Sequence, residues 1–199
     1  VEYGERLARA VSGTCLALEY RLAPEHPYPA CVEDAVAAWR WLTERHPASD
    51  IFFSGESAGC GLALAAAMTL RDAGEKLPAG IVALSPFVDC TLKSDSIDRR
   101  DTLTYMVTNC FQSAAADDPL VSPIYGDFRG LPPLLIQAGR NEVLVDEATR
   151  LDARAQDAGM DVTCELYDER LHIFSMFPFL PNAESALGSV AGFVRRIRG

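Results

Sequence analysis

Gly55-Glu56-Ser57-Ala58-Gly59 satisfies G-x-S-x-G, the spacing that places a serine on a sharp turn between a strand and a helix. Such a turn strains the serine backbone and exposes its hydroxyl. The flanking glycines, Gly55 and Gly59, are expected to leave room where a side chain would meet the neighbouring strand or helix. A serine hydroxyl becomes a nucleophile near neutral pH only if an imidazole takes its proton, and the chain has three histidines. His26 lies in a proline-rich loop and His46 at the end of a helix, where it can meet the helix dipole. His172 follows the last strand, in the loop Glu169-Arg170-Leu171-His172-Ile173-Phe174, and completes the chain order serine, acid, histidine. The orienting carboxylate belongs in Gly139-Arg140-Asn141-Glu142-Val143-Leu144-Val145-Asp146. Asp146 reads as a helix N-cap. Glu142 has no structural duty legible in the sequence and is the first choice, with Asp146 second and an amide at Asn141 third. The N–H of Ala58, directly after the serine, would meet the oxyanion formed on attack. The chemistry of this set is acyl transfer through a covalent acyl-serine.

Those groups need strands and helices to hold them. Apolar runs predict strands at Thr14–Tyr20, Ile51–Ser54, Ile81–Ser85, Leu134–Ala138 and Val162–Tyr167. Helices are predicted from Cys31 through Val32, Val36, Trp39 and Leu42 to the stop at His46-Pro47, over Ala58–Leu70, over Asp146–Ala158 with Gly159 past its end, and over Ala183–Ile197. Strands alternating with helices imply an α/β fold whose mostly parallel sheet is covered on both faces. No linker or repeat divides residues 1–199, so one catalytic domain is expected. The stretch from about Asp89 to Asp118 breaks the rhythm and reads as a cap-like insertion over one edge of the site.

Composition narrows the function classes. Eighteen Lys+Arg against 28 Asp+Glu give a formal charge of −10, a field that repels phosphate backbones, so no nucleic-acid partner is expected. No apolar run approaches the roughly 18 residues of a membrane span. The six cysteines include no C-x-x-C pair and no histidine at a metal-ligand offset, so they read as reduced core thiols and no metal is expected. Gly59-Cys60-Gly61 is half of a dinucleotide fingerprint, with Leu64 in place of its third glycine, and no cofactor is expected.

Longer motifs carry a likeness that covers nearly the whole chain. Glu19-Tyr20-Arg21-Leu22-Ala23-Pro24-Glu25-His26-Pro27-Tyr28-Pro29-Ala30 resembles the Y-R-L-A-P-E-x-x-x-P-A signature of the bacterial hormone-sensitive-lipase-like branch of the α/β-hydrolases, a family of carboxylesterases. Gly55 to Gly59 is similar to that family's G-D-S-A-G elbow, with Glu56 for Asp and Cys60 for the glycine that follows. Ser85-Pro86-Phe87-Val88-Asp89, Leu131-Pro132-Pro133-Leu134 and His172-Ile173-Phe174 also match. Glu142-Val143-Leu144-Val145-Asp146 fits the E-x-L-x-D subgroup, which supports Glu142 as the acid.

The resemblance implies a serine carboxylesterase acting on small to medium acyl esters. On that reading Phe87, Met106, Phe111, Ile173 and Phe174 are expected to line an acyl pocket. It also implies pairing of two copies through the last strand and a cytoplasmic bacterial address. The alternatives are a non-catalytic small-ligand-binding relative, against which His172 argues, and an inactive piece of a longer esterase. Family members carry an H-G-G-G loop that supplies half the oxyanion hole, and no such run occurs here. The expectation is therefore that the first strands and part of the cap are encoded upstream of Val1.

Overall fold

A computed structural model describes residues 2–97, 100–112 and 114–199. Its four strands, β1 (Phe52–Glu56), β2 (Gly80–Leu84), β3 (Leu134–Gly139) and β4 (Val162–Tyr167), form one parallel sheet in the order β1-β2-β3-β4. The six helices of the described residues are α1 (Glu2–Ala10), α2 (Ala30–Thr43), α3 (Ala58–Asp72), α4 (Arg100–Phe111), α5 (Val145–Asp157) and α6 (Ala183–Arg198).

Strand periodicity decides which helix covers which face. In β2, Ile81 and Ala83 point to the side packed by Leu64, Ala67 and Met68 of α3 and Leu151 and Ala155 of α5. Val82 and Leu84 point the other way, to Leu187, Val190 and Phe193 of α6 and Tyr3 of α1. Leu134 and Ile136 repeat the first set and Leu135 the second. Both central strands are buried throughout, which is why they read as apolar runs, interrupted only by Gln137 in β3, whose Nε2 donates to Ala186 O at 3.0 Å. A third cluster joins α2 to α3, where Trp39 meets Phe53 edge-on at 5.3 Å.

Three expectations are corrected and one helix is added. Thr14–Tyr20 forms no strand: the segment is exposed, with Leu16 56% and Leu18 39% accessible. The sheet has β1 as its end strand, so residues 14–20 have no ladder partner among the described residues. A strand is a property of a pair, and the apolar run alone cannot make one. Helix α1 was not expected. Its Tyr3, with Leu7 and Ala10, packs into the α6 cluster. Asp146 does not cap α5, because the helix opens one residue earlier and Leu144 holds the cap position. The six cysteines are all free thiols, but only Cys60 and Cys90 are core residues, and Cys15 is exposed.

The expected insertion contains α4. Residues 98, 99 and 113 of that stretch lie outside the described residues. Leu103, Val107 and Phe111 pack with Phe87, Cys90 and Leu144, holding α4 over the ends of β2 and β3.

Candidate active site

The turn after β1 carries Ser57. Its φ of 51° and ψ of −118° lie outside the ordinary L-residue regions, the strain expected of a nucleophile on an elbow. Two contacts hold it there: Ser57 N–H donates to Leu84 O at 3.0 Å, and Phe87 N–H donates to Ser57 O at 3.1 Å. Buried Cys60 fastens the turn from beneath, its thiol reaching Gly55 O at 2.9 Å and Leu84 O at 3.3 Å, and burial pushes that thiol's pKa up.

The two glycines differ. A Cβ on Gly55 would lie 2.2 Å from Gly59 O, so no side chain fits there. A Cβ on Gly59 would meet nothing within 4 Å among the described residues, which corrects the expectation that both are sterically required. The tight second approach belongs to Gly61, whose Cβ would come 2.9 Å from Phe87 O. Ala58 is the first residue of α3, so its N–H has no acceptor within the helix and sits at the positive end of the helix dipole.

The carboxylate of Glu142 follows β3 by three residues and its side chain is fully buried. Buried carboxylates need partners. Oε2 accepts from Gly139 N–H at 2.8 Å and from the Ser85 hydroxyl at 2.8 Å, while Oε1 faces His172 Nδ1 at 3.2 Å. That contact fixes Nδ1 as the donor and leaves Nε2 free to accept a proton. His172 is 30% exposed. Ile173 behind it has a left-handed φ of 55° and donates its N–H to Ser85 Oγ at 3.0 Å.

Asp146 has a different duty. Its carboxylate accepts from Ser96 N–H at 2.7 Å, and Ser96 Oγ donates to Val143 O at 2.8 Å, so the pair ties the insertion to the start of α5. The Asn141 side chain points to Asp168 at 3.3 Å. His26 lies beside Asp34 at the entry to α2, and His46 follows its end; both are exposed.

A sequence profile for the α/β hydrolase fold matches residues 2–176. An acetyl-hydrolase of Streptomyces hygroscopicus is 42% identical over 97% of the chain. A crystal structure of an esterase from the bacterial hormone-sensitive lipase family superposes with a TM-score of 0.92 at 40% identity, over 98% of this chain and 69% of that one. The chain belongs to the hormone-sensitive-lipase branch of the α/β-hydrolases. The chain is also similar to an esterase of Acinetobacter venetianus, 35% identical over 88% of the chain, and to an esterase/lipase from an uncultured bacterium, 39% identical with a TM-score of 0.94. The chain spans 68% of the length of the Streptomyces protein and 62% of the Acinetobacter one.

Apolar residues of this hydrolase near the candidate triad fall into two groups. Phe87 and Phe174 are buried, Phe87 in the cluster beneath α4 and Phe174 against the Tyr167 ring at 5.1 Å. Phe111 is partly buried against Tyr28, Ile173 adjoins the histidine, and Met106 is 45% exposed on the outside of α4. Ser85 is the residue that sequence reasoning missed. Its signal was a serine directly after an apolar strand, in a motif whose likeness gave it no role.

Proposed function

We propose that the protein is a serine carboxylesterase that hydrolyses small to medium acyl esters through an acyl-enzyme. Ser57 attacks the ester carbonyl. His172 takes the serine proton on Nε2 and returns it to the departing alcohol, Glu142 holds the imidazole in the required tautomer, and the Ala58 N–H binds the developing oxyanion. Water then repeats the sequence on the acyl-serine and releases the acid. The observation that carries this reading is the buried Glu142 Oε1 facing His172 Nδ1 at 3.2 Å, on the same end of the sheet as the strained Ser57.

The short-acyl preference draws on the Streptomyces relative being named an acetyl-hydrolase. The insertion serves as a cap, supported by the packing of Leu103, Val107 and Phe111 against Phe87 and Leu144. Phe87, Phe111 and Ile173 are the wall residues this reading favours. The outer edge of β4 has no strand partner among the described residues, which supports pairing with a second copy, and sedimentation velocity would read the doubled mass. No helix of the described residues is long and apolar enough to cross a membrane.

The test of the activity is covalent labelling. A fluorophosphonate requires an activated hydroxyl, so it should modify Ser57 stoichiometrically in the whole protein and leave Ser57→Ala and His172→Ala unmodified, as read by mass spectrometry of the peptides. Labelling elsewhere, or none, would favour a non-catalytic ligand-binding role.

A further inference from the structure

The chemistry of the candidate site hangs from the ends of four adjacent parallel strands. Ser57 follows β1, Ser85 follows β2, Glu142 follows β3 and His172 follows β4. Neighbouring strands are about 4.8 Å apart, so β4 ends roughly 14 Å from β1. A histidine that simply continued from β4 would be out of reach of the serine. Its loop must therefore turn back across the end of β3, and something at β2 must hold it there.

Ser85 is in that place. It is 1% exposed, directly after the last residue of β2, and its N–H is anchored on Gln137 O at 2.7 Å. Its φ of 48° aims a short side chain away from the ordinary strand direction. The single hydroxyl makes two contacts, both with the catalytic loops. It donates to Glu142 Oε2 at 2.8 Å and accepts Ile173 N–H at 3.0 Å. Donor and acceptor roles are thereby both filled, which alanine, glycine and the apolar residues cannot reproduce.

Resting on the esterase reading above, we propose that Ser85 is a positioning residue: its hydroxyl clamps the His172 loop to the acid Glu142 and so sets the imidazole within reach of Ser57. The residue touches no substrate. It acts by fixing where Glu142 and His172 stand, one strand away from the nucleophile. Loss of the clamp lets the histidine loop relax toward β4, and small misplacements of a base are costly to rate.

The experiment compares wild type, Ser57→Ala, Ser85→Ala and Ser85→Gly in the whole protein, with kcat, KM and the pH profile measured on a short-chain aryl ester and thermal unfolding alongside. Ser85→Gly also lacks the hydroxyl but accepts the positive φ without strain, so it carries the test if the alanine variant does not fold. Both Ser85 variants should lower kcat by roughly ten- to a hundredfold with KM within about twofold of wild type. The acid limb of kcat/KM should move to higher pH, because a carboxylate stripped of one donor holds the imidazolium more strongly. A merely structural serine would lower the unfolding temperature and leave kcat and the acid limb in place. That result, or failure of both variants to fold, overturns the proposal while an inactive Ser57→Ala leaves the esterase reading standing. Undiminished turnover by Ser57→Ala would instead remove the esterase reading itself.

Discussion

Replacing Glu147 by glutamine exchanges one atom and removes a charge, and the surroundings of that side chain give the change a pH signature. Glu147 lies in the first turn of α5 and is fully buried. Its Oε2 accepts from Val88 N–H at 2.5 Å and from Asp89 N–H at 3.0 Å, while Oε1 has no partner among the described residues. Burial pushes its pKa up from 4.5 to about 7, with the Asp89 charge adding to the rise and the two N–H contacts and Arg150 opposing it. A carboxyl whose folded pKa is raised stays protonated in the folded state while the unfolded chain ionises. Stability is then complete below about pH 4.5 and falls as pH climbs to about 7, by about 3 kcal/mol at 1.36 kcal/mol per pKa unit. Glutamine keeps an oxygen for the two N–H donors and cannot ionise. Its buried amide nitrogen costs about 1–3 kcal/mol at every pH, so the informative quantity is the difference between pH values. Urea unfolding at pH 5 and pH 8, at one ionic strength, should show wild type losing about 2.5 kcal/mol that Glu147→Gln retains. Other groups, Asp89 and Arg150 included, contribute to both proteins and cancel in that comparison. Equal losses in the two proteins would refute the assignment of a neutral buried acid at position 147.

Gly55→Ala should destabilise by about 3 kcal/mol or prevent folding, since the new methyl would meet backbone at 2.2 Å, whereas Gly59→Ala should leave the melting temperature within a few degrees. Circular dichroism of the two variants side by side checks the contrast. Glu142→Gln should lower kcat by about 10⁴ with the fold intact, because an amide there supports the wrong histidine tautomer. Asp146→Asn keeps an acceptor for the Ser96 N–H and should hold wild-type kcat, with stability within about 1 kcal/mol. If Asp146→Asn is instead the variant that abolishes turnover, the acid has been misassigned.

Periodicity located the elements because it reports burial, and burial is what the two central strands and the helices facing them share. Val162–Tyr167 came out with its observed bounds. Ser57 was read from the G-x-S-x-G spacing, His172 from its loop after the last strand, and Glu142 from its loop together with the E-x-L-x-D likeness. The misreadings have one physical root: local patterns do not see partners. An apolar run at 14–20 looks like a strand whether or not a neighbour exists to complete its ladder. Asp146 looks like an N-cap because nothing nearby in sequence shows that Ser96, 50 residues back, engages its carboxylate. Ser85 escaped for the same reason, its two partners lying 57 and 88 residues along the chain. Helix α1 was legible, since Tyr3, Leu7 and Ala10 recur on one helical face, but its short charged sequence gives a weak signal beside the apolar runs.

The insertion that carries α4 leaves the sheet after Ser85 and returns at β3, the strand that leads to Glu142. Both attachment points are fixed by the parallel ladder between β2 and β3, not by the insertion itself. The cost of closing a flexible loop rises only with the logarithm of its length, about 0.6 kcal/mol for each doubling. The stretch is thus cheap to lengthen or shorten at its exposed middle, while Ser57 and Glu142 stay at the ends of β1 and β3. On the proposed esterase reading, exchanging the segment between β2 and β3 would alter substrate range so long as the Ser96 and Leu144 contacts to the start of α5 are rebuilt.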